Sequence, residues 1–152
     1  MVMRRAIRKL RHVVRKIRPP RHPHRLFTPA EEHRIVAAIQ HAEHETSGLI
    51  RIHVEAHCPG DATARAQAVF SSLGMDEKAE RNGVLIYLAT RDRKFALVGD
   101  EGIHKRVPPA FWDEVRDAMA VDFRQGRFAE GVCHGIAAVA NHLKAYFPAA
   151  PK

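Results

Sequence analysis

The sequence predicts a layered α/β domain: a three-layer α/β/α sandwich with a small mixed sheet, preceded by a basic amphipathic N-terminal helix. Three observations predict it. An alternating strand at Leu49 to His57, a helical stretch at Ala62 to Leu73 and an apolar strand from Val84 make a βαβ unit, and such crossovers are right-handed and parallel in nearly all cases. A second apolar run, Phe95 to Val98, follows the strand Val84 to Ala89 across a polar turn at Thr90 to Lys94, so this partner runs antiparallel. Two long helical patterns close the chain, and helices packed on both faces of a small sheet bury all of these apolar stripes.

The elements follow in order. In Val2 to Ile17 the apolar residues Met3, Ile7, Leu10, Val14 and Ile17 recur at helical spacing, against a face of Arg, Lys and His. Pro19, Pro20 and Pro23 then rule out helix and favour an extended linker, which makes residues 1–25 an arm, 26–148 the domain and 149–152 a tail. Thr28, Pro29 and Glu31 spell a cap, a first-turn proline and a capping box, so a helix starts there with Ile35, Val36, Ile39 and Ala42 on its core face. Thr46-Ser47-Gly48 stops it. The next strand alternates, with Ile50, Ile52, Val54 and Ala56 inward and Arg51, His53, Glu55 and His57 outward, the pattern of a half-buried strand. Pro108 and Pro109 open a helix that carries Phe111, Trp112, Val115, Met119 and Phe123 to a stop at Gly126. A last helix from Arg127 carries Phe128, Val132, Ile136, Val139, Leu143 and Phe147.

Composition narrows the function classes. The 152 residues suit one domain with a real core. The formal charge of +8 resembles a nucleic-acid signal until it is partitioned: residues 1–25 hold ten basic residues and no acid, leaving fifteen bases against seventeen acids in the rest. The arm therefore supplies all of the excess. Two distant cysteines, Cys58 and Cys133, argue against a disulfide framework and for a reducing compartment. No apolar run approaches the roughly 20 residues that span a bilayer, so the expected location is cytoplasmic, or peripheral at the inner membrane surface. The arm's apolar face suits an anionic membrane surface or a protein partner, bound through residues 1–18, better than nucleic acid, whose phosphates need no apolar contact.

The chemistry concentrates where three turns should meet. With parallel strands from Leu49 and Val84 and an antiparallel return, the end of the third strand lies beside the starts of the first two. Glu45-Thr46-Ser47-Gly48, Glu80-Arg81-Asn82-Gly83 and Gly99-Asp100-Glu101-Gly102 then share one sheet edge and offer four carboxylates, an amide, hydroxyls and free carbonyls. Oxygen ligands of this kind suit calcium or magnesium rather than zinc or copper. Glycines on both sides of Asp100 and Glu101 are expected to supply unusual backbone angles. The competing account has these acids capping helices or pairing with Arg81, Lys105 and Arg106.

Eleven histidines offer no better centre. His53 and His57 stand roughly 13 Å apart along a strand, at about 3.3 Å per residue, too far to share a metal. His41 has ligating spacing to His44 and Glu45 but no identifiable third ligand. Asp92 and Arg93 read as fixing the hairpin turn.

Glu43-His44-Glu45-Thr46-Ser47-Gly48 before a strand, Arg81-Asn82-Gly83-Val84-Leu85-Ile86 opening the next, Asp92-Arg93-Lys94 at the turn and Val98-Gly99-Asp100-Glu101-Gly102-Ile103 after it resemble the TPM domain family, and within it the short bacterial stand-alone members. The likeness extends through Gln125-Gly126-Arg127-Phe128-Ala129-Glu130-Gly131 and covers roughly residues 26 to 147. It implies an α/β/α sandwich, divalent-cation binding (calcium or magnesium) and, for plant members, acid phosphatase activity. The metal positions that it carries over are Asp100, Glu101, Asn82 and Glu45. Many members read Gly-Tyr-Gly-Leu-Glu-Gly where this chain has Gly99-Asp100-Glu101-Gly102, so the implied ligand set differs here. A phosphatase would need a nucleophile or a metal-held water, and no Asp-x-Asp motif, no Cys followed five residues later by Arg and no glycine-rich phosphate loop is present, leaving only the metal route. The leading expectation is a non-catalytic, cation-binding module recruited by its arm. A metal-dependent acid phosphatase and a nucleic-acid adaptor are the alternatives.

Overall fold

The structure, a computed structural model, describes residues 26–77 and 80–149, so the expected basic helix and linker at 1–25 lie outside the described residues, as do residues 150–152 of the tail. Helix α1 (Pro29–Glu45) starts on the capping box that the sequence spells: Glu31 N donates to Thr28 Oγ1 at 3.1 Å and Thr28 N to Glu31 Oε1 at 2.8 Å. Strand β1 (Leu49–Glu55), helix α2 (Ala62–Ser72), a single 3-10 turn (Met75–Glu77), strands β2 (Gly83–Ala89) and β3 (Lys94–Gly99), and helices α3 (Glu101–Arg106), α4 (Ala110–Arg124) and α5 (Phe128–Tyr146) follow. Asp61 caps α2 through a 2.9 Å bond from Ala64 N, which sets the turn between β1 and the helix.

The three strands lie in the order β1-β2-β3. β1 and β2 are parallel, with Leu49 opposite Gly83, and β2 and β3 antiparallel, with Val84 opposite Gly99. β2 is buried along its whole length, as a central strand of near-continuous Val, Leu and Ile must be. On one sheet face Ile50, Ile52, Val54, Val84, Ile86 and Leu88 pack against α1, α4 and α5. On the other, Leu85, Tyr87 and Ala89 meet Ala66, Val69 and Phe70 of α2. Each Val, Leu, Ile or Phe among them contributes about 1.5–3 kcal/mol when fully buried, so this two-sided core holds the sheet between its helices. α4 and α5 pack closely because Gly131 lies against the Phe123 ring and Gly135 against Met119, leaving no room for a Cβ at either position.

Two expectations need correction. The polar face of β1 is not solvated: the side chains of Arg51, His53 and Glu55 are 3%, 12% and 18% exposed, and the strand ends at Glu55, leaving His57 in the following loop beside Asp92. Short helix α3, with only Ile103 buried, follows directly on the acidic turn where the sequence reading has a plain turn.

Candidate cation site at the acidic turn

The sheet register brings the three turns together. Asp100 N donates to Gly83 O at 2.8 Å and Leu49 N to Asn82 O at 3.1 Å, so the ends of β3, β1 and β2 share one corner. Asn82 is buried and its Nδ2 donates to Ser47 O at 3.3 Å, tying the second turn to the first. Thr46 closes the first turn: its hydroxyl donates to Phe147 O and accepts from Gly48 N at 3.1 Å.

Asp100 is the N-cap of α3. Its Oδ1 accepts from Glu101 N at 2.7 Å, and its carboxylate also faces Arg81, whose Nε stands 2.9 Å from Oδ1 and 3.0 Å from Oδ2. The Asp100 side chain is 3% exposed, whereas Arg81 is 43% exposed and lies over it like a lid. Glu101 reaches solvent and holds Lys105 Nζ at 3.0 Å, with Arg81 Nη1 at 3.8 Å. The Lys105 bond and charge, and then Arg81, hold its carboxyl below the usual range. Arg81 adopts φ 50°, a left-handed backbone uncommon outside glycine.

The glycines do a different job from the one expected. Neither Gly99 nor Gly102 has positive φ. A Cβ on Gly102 would stand 2.4 Å from the Arg81 carbonyl oxygen, and one on Gly99 2.3 Å from Trp112 Cη2, so both positions are glycine for close approach. Glu45 turns elsewhere, to His41 Nε2 at 2.7 Å and Lys144 Nζ at 3.8 Å. Of the four metal positions read from the sequence, Asp100, Glu101 and Asn82 thus share the corner, while the Glu45 carboxylate has its own partners. Arg81 is the member that the metal reading leaves out, although the Arg81-Asn82-Gly83 turn signals it. Among the described residues no group of three or more His, Cys, Asp or Glu is placed to hold a metal ion. The donor chemistry of the corner, two carboxylates, an amide and backbone carbonyls, fits a hard cation that keeps several waters, as magnesium does, better than a full protein cage for calcium.

A mixed sheet sandwiched by helices, with an acidic turn joining β3 to a short helix, defines a class of small α/β domain. The chain belongs to the TPM domain family, which matches residues 22–142. It is similar to the BA42 protein of the psychrophilic bacterium Bizionia argentinensis, known by NMR: 42% identity, TM-score 0.79, covering 84% of this chain and 88% of that one. The N-terminal domain of cg2496 from Corynebacterium glutamicum (17% identity, TM-score 0.64, 78% of this chain and 74% of that one) and that of a P. gingivalis protein (19%, 0.67, 80% and 79%) share the fold. No curated protein matches.

Proposed function

We propose that this protein is a non-catalytic binding or adaptor module. It takes a divalent cation, magnesium or calcium, at Asp100 and Glu101 in exchange for Arg81. One observation carries the reading: a half-exposed guanidinium already lies between the two carboxylates, so the corner selects a cation, and the resident one can swing away into solvent. The Asn82 amide and the carbonyls of the corner supply further oxygens, and water completes the shell. The basic segment 1–18 brings the module to an anionic membrane surface or a protein partner on the cytoplasmic side. No helix among the described residues is long and apolar enough to cross a membrane.

Magnesium and calcium titrations followed by amide NMR test the site. Shifts centred on Asn82, Asp100 and Glu101 at millimolar metal are expected, with affinity at least tenfold higher in Arg81→Ala. Silence at those amides in both proteins overturns the reading. Phosphate-ester turnover that disappears in Asp100→Ala would replace it with a metal-dependent phosphatase.

A further inference from the structure

A cleft of about 440 Å³ opens at the end of the β2–β3 hairpin, the opposite end from the acidic turn. Its floor is aromatic: Phe123 of α4 meets Phe95 of β3 edge-on at 4.9 Å between ring centres and Phe128 of α5 at 5.8 Å. Three arginines stand at its walls, Arg93 from the hairpin turn and Arg116 and Arg124 from α4, against one acid, Asp117. Arg116 spends its guanidinium on Asp113 at 3.2 Å. Arg93 and Arg124 have no carboxylate partner in the described residues.

The hairpin is built to put Arg93 there. Asp92 is anchored by a 2.6 Å bond from Cys58 N, which fixes the turn, and Arg93 takes φ 54°, a left-handed backbone that a non-glycine residue holds only under constraint. Beside the cleft on α4, one turn after Asp117 and just before Arg124, Val121 is 54% exposed, the one large apolar side chain left in solvent among the described residues.

We infer that this cleft is a binding site for a small apolar monocarboxylate, whose carboxylate is taken by Arg93 and Arg124 and whose apolar body lies on Phe95, Phe123 and Phe128. The volume falls in the range of small-molecule pockets, and an apolar floor with a few convergent polar groups is the usual composition of such sites. Guanidinium forks match carboxylates bidentately, which gives charge selection that an apolar cleft alone lacks. Charge also rules out the nearest alternative occupant: the chain's own segment 1–25 is basic and would meet unpaired arginines. The inference is independent of the cation site.

The test titrates full-length protein with 2-naphthoate and with octanoate, each beside its neutral amide, followed by amide NMR. At least one acid is expected to shift the amides of Arg93, Phe95, Ala120 and Arg124 with a submillimolar Kd, and its amide to bind at least tenfold more weakly. The tighter acid shows whether the natural source is aromatic or aliphatic. The double variant Arg93→Asn/Arg124→Gln, which breaks no ion pair, is expected to lower affinity at least tenfold. Ala120→Phe, which fills the cleft from its wall, is expected to abolish binding while the rest of the spectrum persists. The proposal is overturned if neither acid shifts these amides at millimolar concentration, if the amides bind as well as the acids, or if the double variant binds like the parent.

Discussion

The guanidinium of Arg81 lies against the carboxylate of Asp100, with Nε at 2.9 and 3.0 Å from its two oxygens and Nη2 at 2.8 Å from Oδ1. One partner is buried and the other half in solvent, so the pair is lopsided: losing the arginine strands a buried charge, and losing the acid frees an exposed one. Arg81→Ala is therefore expected to lower the urea midpoint in metal-free buffer and to recover much of it in 10 mM magnesium, because a ligand of the folded state adds stability by mass action. Asp100→Ala loses the cap of α3, worth about 1 kcal/mol, and gains nothing from magnesium. Equal responses to magnesium in the two variants would contradict this account.

The two glycines flanking the acids should differ in tolerance. At Gly99 a new methyl group meets the edge of the Trp112 ring, a half-buried side chain rather than backbone. At Gly102 it meets the backbone carbonyl of Arg81, which is fixed by the strand beginning at Gly83. Overpacking typically costs about 1–3 kcal/mol. Gly102→Ala is expected at the upper end of that range and Gly99→Ala at the lower, read as urea midpoints. The reverse order would place the rigid element at the tryptophan.

A buried pair between α1 and β1 gives the fold a pH dependence. Glu43 and Arg51 face each other at 3.7 Å with side chains 2% and 3% exposed, and neither Glu43 oxygen has a hydrogen-bond partner. Burial pushes the Glu43 carboxyl up to about 7, against the pull of Arg51, and burial lowers Arg51 to about 10. A folded-state value above the ordinary 4.5 means that the folded protein holds the proton more tightly. This contribution is complete below pH 4.5 and is lost as pH rises through about 7, by on the order of 3 kcal/mol at about 1.4 kcal/mol per pKa unit. Urea midpoints from pH 4.5 to 8 are expected to fall in the parent more than in Glu43→Gln. Parallel profiles would show that Glu43 is ionised throughout.

Glu55 acts with the opposite sign. Arg65 of α2 donates to it at 2.8 and 2.9 Å, the Tyr87 hydroxyl donates to it and His53 stands at 3.2 Å. Burial alone would raise its carboxyl, but these bonds outweigh it and hold the group at about 2. The stability that this contributes is present above pH 4.5 and is lost as pH falls through about 2. Tyr87→Phe removes one bond, at a cost of about 1 kcal/mol at neutral pH, and should move acid unfolding to higher pH by circular dichroism. An unchanged acid midpoint would mean that Arg65 and His53 suffice.

Much of this was legible in the residues. The meeting of the Thr46, Asn82 and Asp100 turns follows from a right-handed βαβ unit plus one hairpin, because few topologies satisfy both. The capping box at Thr28 and Glu31 needs only a spacing of three residues. Less legible was what depends on tertiary approach. Arg51 and Glu55 stand at outward positions of an alternating strand, and alternation predicts which side of the sheet they take, not whether something covers that side. Helix α3 is six residues long with one buried apolar side chain, too short to show a period. Gly99 and Gly102 stand out in the sequence, but a steric need for glycine leaves the same letter there as a need for dihedral freedom. The arginine-walled cleft joins Arg93, Arg116 and Arg124 across 31 positions, and nothing local couples them.

The packing of α1 against α5, with Thr46 bridged to Pro148 beyond the last helix, has a consequence for synthesis. The β2–β3 hairpin has its partners within fifteen residues and can pair as soon as it leaves the ribosome. The apolar faces of α1 and β1, by contrast, wait for a helix made about a hundred residues later, and until then Ile35, Ile39, Ile50 and Ile52 remain exposed to other chains. The nascent protein should therefore be most in need of a chaperone just before residue 148 emerges, and a stop anywhere within α5 should yield an aggregating fragment rather than a smaller domain.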